Sequence, residues 1–313
     1  MIFRIDPGFI NSCPPARISD IVCAAARNGH YLRTDRHSRS AIRDAVRQHG
    51  STTEKQRFRA HTSMFDPAGN LGRFLRTIEI TKDYPPNAFF YLVAGNARLI
   101  LENANHEWKV YKYFIDLYSN HRELGDCLRL LRDAKEKKTI KAVHSGGWTE
   151  MLKIADSEPF RHNGENLRLL KTCMVFDRDT DTADVYDGTK NALFRRLSGK
   201  RHDNITEADI YHLDPATPMW HMWHKRAIEN YFPDSRYENI GCDVSAMSRL
   251  WPEQRDYFKI ESKSVKGYDK NSLDRLLEGL DRNMLEANLK KFRIGDNEYS
   301  EMELFLLKLV KII

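Results

Sequence analysis

Lys171 to Gly188 reads KTCMVFDRDTDTADVYDG. Four apolar residues, Cys173 to Phe176, run directly into Asp177; Asp179 and Asp181 follow at alternate positions, with Asp184 and Asp187 close behind. A short apolar run closed by turn-forming residues has the length and composition of a buried strand. Its acidic end is what needs explaining, because carboxylates crowded at the mouth of a buried element repel one another unless something offsets their charge.

Outward from this stretch, short apolar runs alternate with longer helical patterns. Arg98–Glu102 (RLILE) reads as a strand, Glu107–Ser119 as an amphipathic helix, and Glu123–Lys137 as more helix. Thr139–Val143 reads as a second strand, followed by HSGG and a helix over Thr149–Ala155. Cys173–Asp177 is the third strand, Asp209–Leu213 (DIYHL) the fourth, and His224–Tyr231 (HKRAIENY) the helix after it. This order predicts an α/β domain, a mainly parallel sheet with helices on both faces.

In such sheets ligands bind beyond the carboxyl ends of the strands. Glu102 and Asp177 each close a strand, and side-chain alternation lets Asp177 and Asp179 face the same way with Glu102 opposite. A divalent cation is the natural counter-charge for such a group. An all-oxygen donor set, with no cysteine placed to join it, favours Mg2+ or Mn2+ over zinc. Asp-x-Asp also occurs as an Asx-turn or helix cap, and it begins the phosphatase motif of the HAD family and marks nucleotide-sugar glycosyltransferases. The HAD pattern expects Thr or Val where Asp181 stands. Pro218–Lys225 (PMWHMWHK) spaces His221 and His224 so that one helix face could share a metal, but no third soft ligand is near, and a packed aromatic face is the preferred reading. Trp220 and Trp223 are also candidates for stacking on unpaired bases.

The 313 residues, 41% hydrophobic and 30% charged, leave room for about two domains. No window approaches the ~18 apolar residues of a membrane span, and a cleavable leader is not apparent, so a cytoplasmic protein is expected. Cys13, Cys23, Cys127, Cys173 and Cys242 are scattered and form no CxxC pair, which points to buried thiols. The net charge of +6 lies entirely in Met1–Pro85, with 14 Lys and Arg against 8 Asp and Glu; 12 of those basic residues are arginine. Arginine's planar fork suits phosphate, which makes Arg33, Arg36, Arg39 and Arg43 candidate nucleic-acid contacts. Helices are expected at Pro15–Asn28 and His37–Gln48, with an eight-residue connection too long for a standard helix-turn-helix. Asp66–Asn70 (DPAGN) reads as a turn and Asp83–Asn87 (DYPPN) as a linker. The resulting division is a basic N-terminal region over 1–85, the α/β domain over 86–235 and a helical region over 236–313. In the last, Ser272–Lys291 and Tyr299–Ile312 are amphipathic, nothing looks catalytic, and the final apolar run is expected to pack on the body of the protein.

The ordered set of Glu102, Gly146-Gly147, Asp177-x-Asp179 and HKRAIENYF resembles the TOPRIM domain, the metal-binding module of topoisomerases, DnaG-type primases and OLD-family nucleases. The IENYF ending, Ile228–Phe232, most resembles the TOPRIM nucleases of PARIS-type anti-phage systems. The likeness covers Ala97–Pro233. It departs from the family at Asn103, where Gly is usual, and at Glu107, one place later than the second acidic position. The resemblance implies an Mg2+- or Mn2+-dependent nuclease cleaving DNA or RNA, an effector of anti-phage defence, with Glu102, Asp177, Asp179 and Glu229 as metal ligands. Glu102 would serve as ligand or general acid/base, and Lys225 or Arg226 would stabilise charge on the phosphate. His144, beside the glycine pair, reads as a loop histidine within reach of substrate. It further implies a separate ATPase or regulatory partner, since this chain has no GxxxxGK[ST] loop; self-association is left open. Two other readings stand: a metal-dependent phosphoryl or glycosyl transferase using the Asp-x-Asp, and a non-catalytic nucleic-acid-binding TOPRIM subunit.

Overall fold

A computed structural model of the chain describes residues 1–66, 71–121, 123–157 and 160–313, and of Thr62 the backbone alone. The turn expected at Asp66–Asn70 lies, beyond Asp66, outside the described residues.

The arginine-rich N-terminal region holds a sheet that the sequence reading did not anticipate. Strands β1 (Ile2–Ile5), β2 (Tyr31–Arg33) and β3 (Thr77–Ile80) pair in parallel in the order β2-β1-β3. Each has three or four residues, too few for an alternation to register. The expected helices form at Pro15–Arg27 and Arg36–His49, and β2 occupies the connection between them. They are therefore layers of a parallel α/β unit, with a strand where a helix-turn-helix would have its turn. Asp35 starts the second helix by accepting from the amides of His37 and Ser38 at 2.8 and 3.0 Å, and a Ser51/Glu54 capping box starts a third at Thr52–Ala60. The prolines of DYPPN open a helix, Pro86–Ala94, whose Ala88, Phe89, Leu92 and Val93 enter the same small core.

The larger sheet is the one that the Lys171–Gly188 stretch pointed to. Strands β4 (Ala97–Leu101) and β5 (Ile140–His144) are followed by a small hairpin, β6 (Arg161–His162) with β7 (Glu165–Asn166), and then by β8 (Thr172–Phe176) and β9 (Met219–Met222). The order is β5-β4-β8-β9 with all pairs parallel, and Leu101 lies opposite His144 on one side and Val175 on the other. Every residue of β4, β8 and β9 is buried, which is why these strands read as unbroken apolar runs. The helices beside them form at Ala104–Tyr118, Gly125–Glu136 and Trp148–Asp156.

Three sequence expectations are overturned. Asp209–Leu213 is not the fourth strand: Asp209 caps the turn Glu207–Ile210, accepting from the Thr206 amide and hydroxyl at 2.8 and 2.7 Å and pairing with Lys200. The fourth strand is MWHM at Met219–Met222, so the tryptophan–histidine cluster is not helical. His224–Tyr231 is not a helix either, because its backbone groups bond elsewhere. The His224 amide donates to Glu301 at 2.6 Å, the Lys225 amide donates to Tyr231 Oη at 3.1 Å, and only Ile228–Tyr231 closes a short helical turn.

The C-terminal region is less helical than expected. Ser272–Lys291 breaks into Lys270–Leu277 and Arg282–Glu286, separated by Gly279 at φ +68°, and then runs into the hairpin β10 (Lys291–Ile294) and β11 (Asn297–Ser300). The closing run does form a helix, Glu301–Ile312, with all twelve residues buried against β8, β9 and Gly125–Glu136. It is a central element of the larger core, and among the described residues no helix is long and apolar enough to cross a membrane.

Candidate active site

Glu102 and Asp177 each follow the last residue of a central strand, and adjacency of β4 and β8 brings them together. Glu102 Oε1 accepts the Asp177 amide at 3.3 Å. The turn carrying Glu102 is pinned by the next strand: the amides of Ser145 and Gly146 donate to the carbonyls of Leu101 and Glu102 at 2.9 and 3.2 Å. Gly146 and Gly147 sit at φ +76° and +136°, which explains the glycine pair after β5. Asn103, where a family glycine was expected, has φ −131°, an extended value open to any residue. Its amide donates to Glu107 Oε1 at 2.8 Å, and the Ala104 amide donates to His144 Nδ1 at 3.3 Å, which fixes the start of helix Ala104–Tyr118.

Asp177 and Asp179 converge, but not through strand alternation. The strand stops at Phe176, and Asp179 turns the chain at φ +60°, with the amides of Arg178 and Asp179 both donating to the Arg226 carbonyl at 2.9 and 3.0 Å. Arg178 points inward, bonded to the carbonyls of His224 and Ala183. The opening run of aspartates thus divides by role. Asp181 pairs with Arg226 at the surface and Asp187 caps Gly188–Lys190, while Asp177 and Asp179 remain in the site.

Lys190 supplies the charge that offsets them. Its side chain is fully buried, and Nζ donates to the Asp177 carbonyl at 2.5 Å and to Asp179 Oδ2 at 2.6 Å, with Glu102 Oε1 at 4.0 Å. Glu229, on the Ile228–Tyr231 turn, approaches from β9, and the neighbouring Ile228 amide donates to Asp177 Oδ1 at 3.3 Å. Glu229 Oε1 lies 3.4 Å from Tyr268 Oη and 3.8 Å from Lys270 Nζ, while its Oε2 is buried without a hydrogen-bond partner.

The electrostatics bind these groups into one site. Burial raises Asp177 well above the usual carboxylate range, and Glu229, Glu107 and Glu102 push it further. Glu107 is pushed up to about 8, by burial first and then by Glu102 and Glu229 against the favourable Asn103 amide. Glu102 is raised by burial, with Lys190 pulling the other way. Lys270 is raised chiefly by Glu229. The donor set is all oxygen, the ligand chemistry of hard cations, with one orphaned buried acceptor on Glu229. Among the described residues, however, no group of three or more His, Cys, Asp or Glu side chains is arranged to hold a metal ion.

Other expected site residues lie elsewhere. Lys225 is buried against Asp256, Nζ to Oδ1 2.6 Å, with Nζ 5.3 Å from the Tyr231 ring centroid. Among the described residues no hydrogen bond or ion pair joins it to Glu102, Asp177 or Asp179. Trp220 and Trp223 are 2% and 0% exposed, so neither is free to stack on bases. His221 is buried beside Glu301, its Nε2 3.5 Å from Oε1, and His224 lies beyond the strand, so the helical spacing that would let the two share a metal is absent. Of the four arginines, Arg39 is bound to Asp66 through both terminal nitrogens at 3.1 and 3.2 Å, whereas Arg33, Arg36 and Arg43 are exposed. Lys190 and Lys270 were not singled out from sequence. Each is a lone lysine in a loop region with no periodic signal, and Lys270 comes from the segment where nothing catalytic was expected.

Fold and site together define an α/β protein with a partly buried acidic centre at the carboxyl edge of a four-stranded parallel sheet. No protein-family model, curated protein or solved structure matches the chain.

Proposed function

We propose that this protein is a TOPRIM-type nuclease that cleaves DNA or RNA with Mg2+ or Mn2+, acting as an anti-phage effector under the control of a partner protein. One observation carries the reading: Glu102, Glu107, Asp177, Asp179 and Glu229 gather at one carboxyl edge from the ends of β4 and β8, the helix after β4 and the turn after β9, and Glu102, Glu107 and Asp177 are raised there by burial and by their acidic neighbours. Such a concentration of acid destabilises an empty pocket, so it is expected where a site needs the charge. Glu102, Asp177, Asp179 and Glu229 would hold the cation, which when bound supplies activation of water and withdrawal of charge from a phosphate. Glu107, held by the Asn103 amide, keeps its proton near neutral pH and so limits the negative charge gathered at this edge. Lys190 holds Asp177 and Asp179 in place and brings a positive charge to the edge where a phosphate would lie.

A second reading, a non-catalytic nucleic-acid-binding subunit, draws support from the same lysine, whose ammonium already neutralises the acidic turn. Calorimetric titration with Mn2+, followed by incubation with plasmid and with total transfer RNA, separates the two for wild type and the Asp177→Asn, Asp179→Asn double variant. Metal binding and cleavage that disappear together in the variant are expected. Nucleic-acid binding without any metal uptake would favour the non-catalytic subunit and end the nuclease reading.

A further inference from the structure

The N-terminal unit contains a cleft of about 550 Å³ between helices Arg36–His49 and Thr52–Ala60, lined by Arg43, Arg47, Lys55 and Arg59 together with Phe58 and His61. Among the described residues no acidic side chain lines it. Arg43 with Arg47, and Lys55 with Arg59, are like charges one helical turn apart, an arrangement that weakens both helices. Among the described residues the nearby acids relieve it at Arg47 alone. Glu54 is taken up by the Ser51 capping box and lies 3.8 Å from Arg27, and Asp44 pairs only with Arg47 at 2.9 Å. Arg43, Lys55 and Arg59 have no carboxylate partner among the described residues. The cleft also has an aromatic wall: Phe65 is buried, with the Arg39 and Arg43 guanidiniums 5.5 and 5.8 Å from its ring centroid, and half-buried Phe58 stands edge to face with it at 6.3 Å. Phe58 is thus the ring left to a ligand.

We propose that this cleft binds a nucleotide, its phosphates on Arg43, Arg47, Lys55 and Arg59 and its base against Phe58. Convergent cations alone would suit any polyanion, but the aromatic wall beside them and a volume within the range of small-molecule sites select a phosphate that carries a planar ring. The nucleotide could come free from solution or as an unpaired residue of a nucleic-acid strand. The cleft lies apart from the acidic centre and does not depend on its chemistry.

Binding is measured in chelator-containing buffer on the full chain carrying Asp177→Asn and Asp179→Asn, so that neither metal uptake nor cleavage enters. The probes are ATP, inorganic triphosphate, adenosine and total transfer RNA. ATP is expected to bind about tenfold more tightly than triphosphate, the ratio that one stacked base supplies. Phe58→Leu should remove that advantage while leaving triphosphate binding unchanged. Arg59→Ala should weaken both about tenfold, and Arg59→Lys should retain them, with thermal midpoints showing that the variants fold. Transfer RNA binding that depends on Arg59 and Phe58, with ATP inactive, identifies the strand as the source and upholds the proposal. Measurable binding of ATP and triphosphate with equal affinity would overturn it. So would affinity for ATP and transfer RNA that is indifferent to Arg59 and Phe58.

Discussion

Lys190 decides how the acidic turn after β8 is read. A fully buried ammonium is costly unless its hydrogens are used, and here the Asp177 carbonyl and Asp179 Oδ2 take two of them. Lys190→Met would leave Asp179 unpaired near four carboxylates, three of which are already pushed above their ordinary range. Removing one partner from a fully buried pair costs ~3–5 kcal/mol, but Asp179 is 42% exposed and water screens it, so the expected loss is about 2 kcal/mol. Urea unfolding of wild type and variant checks this; an unchanged midpoint would show that the lysine does not hold the turn. Sequence could not reveal this residue. An aspartate pair announces itself by spacing and composition, whereas a lysine 11 positions beyond Asp179 finds its partners only after the chain has folded back through the turn at Asp187. Asn103 shows the opposite case: it departs from the glycine of the TOPRIM pattern, and the backbone there needs no glycine.

At the scale of elements, legibility followed periodicity and burial. The strands around Leu99, Val143 and Val175 and the amphipathic helices beside them were readable because their apolar pattern is set by the layer they face. The fourth strand was misassigned since DIYHL and MWHM are both short apolar runs, and only the Thr206–Asp209 cap separates a turn from a strand. The strands of the N-terminal sheet, three or four residues each, carried no readable period. Helix Glu301–Ile312 was expected, but not that its first residue would be a fully buried glutamate. Glu301 accepts Tyr231 Oη at 2.5 Å and the His224 amide at 2.6 Å, and burial still pushes it up to about 7. Between its ordinary value of 4.5 and about 7 the native state keeps a proton that the unfolded chain has released. Stability contributed by this group therefore falls as pH rises through that window and levels off above it, by about 3 kcal/mol in all. Glu301→Gln, which cannot ionise, should lose this slope. Thermal midpoints at pH 5, 6 and 7 test it: the gap between wild type and variant should move steadily in the variant's favour, and parallel curves would refute the assignment.

At the scale of the molecule, the described residues form two cores on two parallel sheets, and the chain stitches them together in both directions. Ile2, Tyr31, Leu71, Phe74 and Leu75 belong to the larger core although they come from the N-terminal region, and Leu167 enters the smaller one. Polar contacts follow the same seam. Buried Arg76 reaches the Ala216 carbonyl and Thr217 Oγ1, Lys311 Nζ donates to the Phe74 carbonyl at 3.2 Å, and Lys171 Nζ donates to the Leu92 carbonyl at 2.9 Å and lies 3.3 Å from His30. Separating the sheets would expose apolar surface on both and leave these cations without their acceptors, a cost far above that of a surface contact. Neither sheet should then melt alone. All five tryptophans lie beyond residue 100, so their fluorescence reports on the larger sheet, while buried Cys13 and Cys23 report on the smaller through their reactivity to a thiol reagent. In a urea titration the two signals are expected to share one midpoint, as coincident probes do in a cooperative transition. If the cysteines reacted at lower urea than the tryptophans responded, the N-terminal sheet would be an independent unit, and the nucleotide cleft it carries could move relative to the acidic centre.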